Sequence, residues 1–137
     1  MKLKFKKEKA GAKLPTRGTA GSGGIDLYCC GSHQLYGNYT RIPTGVAVEI
    51  PTGYVGLLIT RSSTALNNID VSTTVIDSDY RGQLFITARA KNRSGEVTHG
   101  ERIAQLVILP LPIFEPEWAE ELSKTERGSG GYGSTGV

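Results

Sequence analysis

Five short segments hold the residues that could do chemistry. VIDSDYRGQL (Val75–Leu84) gathers Asp77, Asp79, Tyr80 and Arg81 into five positions after an apolar run. Asp77 follows Ile76 directly, so its carboxylate is expected to be partly desolvated and able to take a proton from water. The same residues would also suit a plain charged β-turn. TRSST (Thr60–Thr64) is a hydroxyl-rich turn after an apolar strand. Its backbone N–H groups, the hydroxyls of Ser62 and Ser63 and the Arg61 guanidinium suit a phosphate, although a surface loop would read the same way. GSGGIDLY (Gly21–Tyr28) sets Asp26 just after a flexible turn, a weak signal alone. GERIAQL (Gly100–Leu106) puts the amide of Gln105 in an otherwise apolar strand, where it needs backbone or ligand partners.

The fifth segment ends the chain, RGSGGYGSTGV (Arg127–Val137). Gly/Ser tracts are commonly disordered termini. This one sets Arg127, Tyr132, Ser134 and Thr135 at fixed offsets among glycines that include Gly133. Glycine-rich backbone wraps closely around phosphates, arginine binds them, and a tyrosine ring stacks on a base. The segment reads as a lid with little to bury until a nucleotide supplies the missing surface.

The frame for these segments reads as β-structure. Helix signals are nearly absent, and short β-rich runs alternate with turn residues, which points to an all-β sandwich or barrel. IPTG occurs at Ile42–Gly45 and Ile50–Gly53, each with the proline and glycine placement of a type I turn. Between them VAVEI alternates, with Val46, Val48 and Ile50 on one face. GYVGLLIT (Gly53–Thr60), QLFITARA (Gln83–Ala90) and RIAQLVIL (Arg102–Leu109) are further strand candidates. Leu84, Ile86, Ala88 and Ala90 share one face of the second. The third is apolar on both faces after Gln105, as in a central strand buried on both sides. Pro110, Pro112 and Pro116 then break the pattern, which suggests an extended arm leaving the body. WAEELSK (Trp118–Lys124) fits either a short helical turn or an exchanged strand.

The chain has 137 residues, enough for one domain with a real core, and a net charge of +3. The charge is uneven. Residues 1–17 hold seven of the sixteen Lys/Arg and one of the thirteen Asp/Glu, a net +6, leaving nine against twelve, or −3, elsewhere. In MKLKFK, Leu3 and Phe5 alternate with lysines, the pattern of an edge strand with one solvated face; weak polyanion binding is the other reading. No specific nucleic-acid partner is expected, because the basic residues do not spread over the fold. No apolar run is long enough to span a membrane, and no apolar h-region follows the N-terminal lysines. A cytoplasmic setting is expected, or a nuclear or host-cytoplasmic one for a eukaryotic or viral chain. Cys29 and Cys30 are adjacent, so a disulfide between them would be strained, and reduced thiols are expected.

Together and in this order, the five segments resemble the five motifs of the homotrimeric dUTPases. GGIDLY resembles motif one, TRSS motif two, VIDSDYRGQL motif three, GERIAQL motif four and RGSGGYGSTG motif five. The resemblance runs from about residue 14 to the C-terminus. It implies a jelly-roll (distorted β-barrel) domain in a threefold trimer. Residues 1–110 would form the body, 111–126 an arm reaching a neighbouring subunit, and 127–137 the nucleotide-closing tail. One subunit would give motifs one, two and four, a second motif three, and a third the tail.

The implied activity is Mg²⁺-dependent hydrolysis of dUTP to dUMP and pyrophosphate, limiting uracil in DNA and supplying dUMP for dTMP synthesis. By the same resemblance, Asp77 is the general base for water attack on the α-phosphorus. Asp26 holds a metal-bound water, Arg61, Ser62 and Ser63 grip phosphates, and Gln105 places the α-phosphate and the water. Tyr80 packs beneath the deoxyribose. Thr73 and Thr74 lie in a hairpin that reads uracil through backbone groups. Arg127, Gly133, Ser134 and Thr135 close on the phosphates, with Tyr132 over the base. Three positions depart from the common pattern. Thr60 replaces a proline, Ile25 an aromatic, and Ser72–Thr74 a stretch with glycine. A dCTP deaminase shares the fold but needs a glutamate on the strand after motif three, and GQLFITARA has no acid. A non-catalytic nucleotide-binding protein on the same scaffold would have no need of Asp77.

Overall fold

The computed structural model describes residues 1–133. Ten strands and one helical turn make up its regular structure: β1 (Lys4–Lys7), β2 (Ile25–Tyr28), β3 (His33–Leu35), β4 (Thr40–Glu49), β5 (Tyr54–Thr60), α1 (Ser62–Ala65), β6 (Ile69–Val71), β7 (Thr74–Ile76), β8 (Gln83–Ala90), β9 (Gly95–Val97) and β10 (Arg102–Pro110). They form two four-stranded sheets, β1-β4-β8-β6 and β2-β10-β5-β7, and a small β3-β9 ribbon. The paired strands run antiparallel throughout. This is the all-β architecture that the strand pattern points to and the jelly-roll that the resemblance implies.

The core lies between the sheets because each strand turns alternate residues inward. Along β8 the alternation is complete, with Leu84, Ile86, Ala88 and Ala90 buried. They meet Leu27, Leu58 and Leu106 of the second sheet, while Leu35 and Val97 of the ribbon join the same cluster. Ile86 is fully buried, and Ile86→Ala is expected to cost about 2–5 kcal/mol through the cavity it leaves. Urea titration of the purified protein would show a lower midpoint.

Several sequence expectations change. Ile42–Gly45 is not a turn but lies inside β4, where the register against β8 skips between Pro43 and Ala47. Gly45 sits there at φ +73°, and a Cβ on it would come within 2.7 Å of the Ala12 Cβ. The bulge accommodates Pro43 in a strand flanked on both sides. It also sends Val46 into a small separate cluster with Ala12 and Cys30, apart from Val48 and Ile50. The second IPTG does turn, but one residue later. Tyr54 N–H donates to the Pro51 carbonyl at 3.2 Å, with Gly53 at φ +90°, which is type II geometry.

β10 is central in its sheet, between β2 and β5. Its second half is not buried on both sides within one chain, however: Val107 and Ile108 are half-buried and Leu109 is exposed. β1 is an edge strand with its lysines outward and Phe5 packed against the core, as the alternation of MKLKFK implies.

Beyond β10, residues 111–133 carry no helix or strand, so Trp118–Lys124 does not form a helical turn. Leu111, Ile113, Phe114, Trp118 and Leu122 are all exposed along this stretch. Both cysteines are free and buried, and burial, aided by Glu101, pushes the Cys29 thiol up to about 12. Among the described residues, no helix is long and apolar enough to cross a membrane.

Candidate active site

Two groups of the expected residues assemble, on different parts of the chain. The first depends on strand register. Asp26 of β2 lies opposite Gln105 of β10, which lies opposite Ile59 of β5, so the residues just past β5 fall beside Asp26. Arg61 Nε donates to Asp26 Oδ1 at 3.0 Å, and its Nη1 donates to the Arg102 carbonyl at 2.9 Å. Arg102 Nη1 reaches Asp26 Oδ2 at 3.4 Å. Two guanidiniums therefore compensate one buried carboxylate. The sequence reading passed over Arg102. Its only signal was a charge at the mouth of GERIAQL, and the strand pairing reveals its partner.

Gln105 Nε2 donates to the Thr60 carbonyl at 3.0 Å, so the amide has found backbone. Its other end lies against Gly24, where a Cβ would come within 2.8 Å of the Gln105 Cδ. Gly24→Ala is therefore expected to push Gln105 off Thr60, cost about 1–3 kcal/mol and reduce turnover. Thermal unfolding and steady-state kinetics on that variant check both effects.

The TRSST segment forms the single turn α1, with Arg61 in extended backbone at its start and no side chain capping it. The opening N–H groups of such a turn lack internal acceptors and favour an anion. A cleft of ≈ 320 Å³ is lined here by Gly18, Ser22, Gly24, Asp26, Arg61, Ser62 and Gln105, among others. Ser63 lines an adjoining recess that shares Arg61. Backbone donors, hydroxyls and a fixed guanidinium suit a polyphosphate.

The second group surrounds Asp77, in a cleft of ≈ 380 Å³ that also takes in Thr74, Ile76, Tyr80, Phe85 and Arg41. The turn after β7 is locally fixed. Tyr80 N–H donates to the Asp77 carbonyl at 3.1 Å, and Tyr80 Oη donates to the Gln83 carbonyl at 2.8 Å. The ring crosses Gly82 so closely that a Cβ there would come within 2.6 Å of the Tyr80 Cζ. Asp77 is exposed rather than partly desolvated. Strand alternation turns Ile76 into the core, and so turns its neighbour outward.

Thr73 and Thr74, expected in the uracil-reading segment, stand at the entry to β7. β6 pairs with β8 and β7 with β5, so the chain crosses between sheets at Thr73 instead of folding back on itself. Ser72 N–H donates to the Thr87 carbonyl at 2.8 Å, which extends the β6–β8 pairing up to that crossing.

The clefts around Asp26 and Asp77 share no lining residue. Arg127, Tyr132 and Gly133 are exposed and line neither cleft; Ser134 and Thr135 lie outside the described residues. Among the described residues, no three His, Cys, Asp or Glu side chains converge as a metal site. Each Asp26 oxygen takes one N–H donor and keeps lone-pair capacity toward the cleft. The residues fit a cation held through water, not one ligated by the chain.

A family model described as dUTPase matches residues 10–136. The chain belongs to the dUTPase family. Among curated members, the deoxyuridine 5'-triphosphate nucleotidohydrolase of Hydrogenobaculum sp. is 39% identical, the alignment covering all of this chain and 99% of that protein. The dUTPase of Staphylococcus bacteriophage 80alpha with dUPNHPP superposes with a TM-score of 0.92 at 32% identity, over 99% of both chains. A dUTPase variant from S. aureus phage phi11, described as coordinating a structural Mg(II) ion, gives a TM-score of 0.82 at 26% identity, over 88% of this chain and 98% of that one. Fold and family are those of dUTP diphosphatases.

Proposed function

We propose that this chain hydrolyses dUTP to dUMP and pyrophosphate, with Mg²⁺, as a homotrimer whose sites are shared between subunits. The observation that carries the reading is the split site. A phosphate-suited cleft at Asp26, Arg61 and Gln105 and a nucleoside-sized cleft at Asp77 and Tyr80 share no wall within one chain. Bringing them together takes a second copy. The exposed apolar row from Leu111 to Leu122 supplies a reason for copies to associate, since solvated surface of that kind commonly marks an interface.

In such a site Arg61, Ser62 and Ser63 hold the phosphates, and Asp26 keeps Arg61 aimed. The Asp77 carboxylate takes a proton from the attacking water as its oxygen approaches the α-phosphorus, and Gln105 orients that encounter. Mg²⁺ carried in on the triphosphate supplies charge neutralisation, with Asp26 reaching it through water. Tyr80 forms the floor beneath the deoxyribose. Arg127, Ser134 and Thr135 close over the phosphates and Tyr132 over the base.

The test is incubation with Mg²⁺ and dUTP, dCTP, dTTP or UTP separately, with identification of the products. Pyrophosphate and dUMP from dUTP alone is the expected result. Conversion of dCTP to dUTP, or binding of dUTP without turnover, would overturn the reading.

A further inference from the structure

The loop that leads into β2 brings donors to the phosphate-suited cleft that the scheme above leaves out. Its base closes on Asp26 itself. Thr16 N–H donates to the Asp26 carbonyl at 3.2 Å, and Asp26 N–H donates to the Thr16 carbonyl at 2.7 Å. The loop reads RGTAGSGG (Arg17–Gly24), with four glycines. Glycine-rich backbone is costly to order, yet this loop is tied down. Ser22 N–H donates to the Thr19 carbonyl at 3.1 Å, which makes Thr19–Ser22 a turn, and Arg17 Nη1 donates to the Ser22 carbonyl. Gly18, Ser22, Gly23 and Gly24 line the cleft together with Arg61 and Ser62.

Two donors there are set for something outside the chain. Ser22 Oγ accepts from Thr19 N–H at 2.9 Å and lies 3.0 Å from Thr19 Oγ1. When the Thr19 hydroxyl donates, both lone pairs of Ser22 are filled, and its own proton is left for the cleft. A hydroxyl polarised by its neighbour in this way is a stronger donor. The second donor is Gly24 N–H. Asp26 spends both backbone groups on Thr16, so strand alternation puts the Gly24 N–H, two residues back, on the same edge and inside the loop. Gly24 is buried, and that N–H has no acceptor among the described residues. Buried N–H groups are rarely left so unless a ligand or water completes them. An anion satisfies both donors at once.

Resting on the nucleotide reading above, we propose that Ser22 is a substrate-binding residue, its hydroxyl donating, with Gly24 N–H beside it, to the triphosphate beyond the α-phosphate. Gly24 abuts Gln105, the residue which that reading sets at the α-phosphate. Ser22 stands two residues further along the loop, at most about 7 Å away, where the next phosphates follow. Loss of a hydrogen bond to a charged group weakens binding by about 10–100-fold. Calorimetry in the presence of Mg²⁺ compares α,β-imido-dUTP, dUMP and inorganic tripolyphosphate on the wild type, Ser22→Ala and Ser22→Thr. Ser22→Ala is expected to bind the imido analogue and tripolyphosphate about 10–100-fold more weakly, and dUMP as the wild type does. Ser22→Thr keeps a hydroxyl and is expected to recover most of the loss. Equal affinity of wild type and Ser22→Ala for the imido analogue overturns the proposal. So does an equal loss for dUMP, which would make Ser22 a prop of the loop, and so does a loss that Ser22→Thr fails to recover. A wild type that binds tripolyphosphate more tightly than Ser22→Ala does, but not the dUTP analogue, would sink the nucleotide reading and leave the loop as a polyphosphate site. A wild type that binds none of the three ends both.

Discussion

Asp77→Asn is expected to lower kcat for dUTP by about 10²–10⁴-fold, the usual contribution of a positioned general base. Nucleotide affinity and melting temperature are expected to hold. The amide is isosteric with the carboxylate but cannot take the proton. Stability is expected to hold because the Asp77 side chain is exposed and has no hydrogen bond or ion pair among the described residues. The turn itself is fixed by backbone and by Tyr80, through its bonds to Asp77 C=O and Gln83 C=O. Stopped turnover with intact analogue binding identifies a base. Near-normal turnover would remove Asp77 from that role.

Deletion of residues 127–137 is expected to leave a folded protein with turnover reduced about 100-fold or more, given what charged hydrogen bonds to phosphate contribute. Arg127 and Tyr132 are exposed, and two bonds among the described residues, Gly130 N–H to the Arg127 carbonyl and Gly128 N–H to Thr125 Oγ1, both at 3.1 Å, run within the C-terminal segment. Closure over a bound nucleotide is what the deletion removes. An unfolded product in place of an inactive folded one would make the tail structural and end the lid reading.

Much of the frame was legible because strand alternation is a local signal. QLFITARA spells the inward face of β8 residue by residue, and MKLKFK announces an edge. The failures lie where a distant partner decides. Nothing within Ile42–Gly45 says that Ala12 and Cys30 will pack against Gly45, so a turn tetrapeptide becomes a bulge within a strand. Arg102 looks like an ordinary strand-mouth charge until register sets it against Asp26. The exposure of Asp77 follows from alternation, since Ile76 takes the inward position beside it. Leu109 is exposed near the end of β10, beyond the stretch that β2 pairs with. The adjacency of Asp26, Arg61 and Gln105 follows from three neighbouring strands, which the motif order alone could not specify.

The shared site can be tested directly by mixing two inactive chains. Asp77→Asn leaves the Arg61–Gln105 half intact, and Gln105→Ala leaves Asp77 intact. Each alone is expected to be nearly inactive in turnover of dUTP with Mg²⁺. Co-expressed in equal amounts, they are expected to recover about a quarter of wild-type activity, the share of sites that draw both intact halves from different subunits in a randomly mixed cyclic assembly. Activity no higher than that of the two parents, in oligomers shown to contain both chains, would mean that each site is built within one chain.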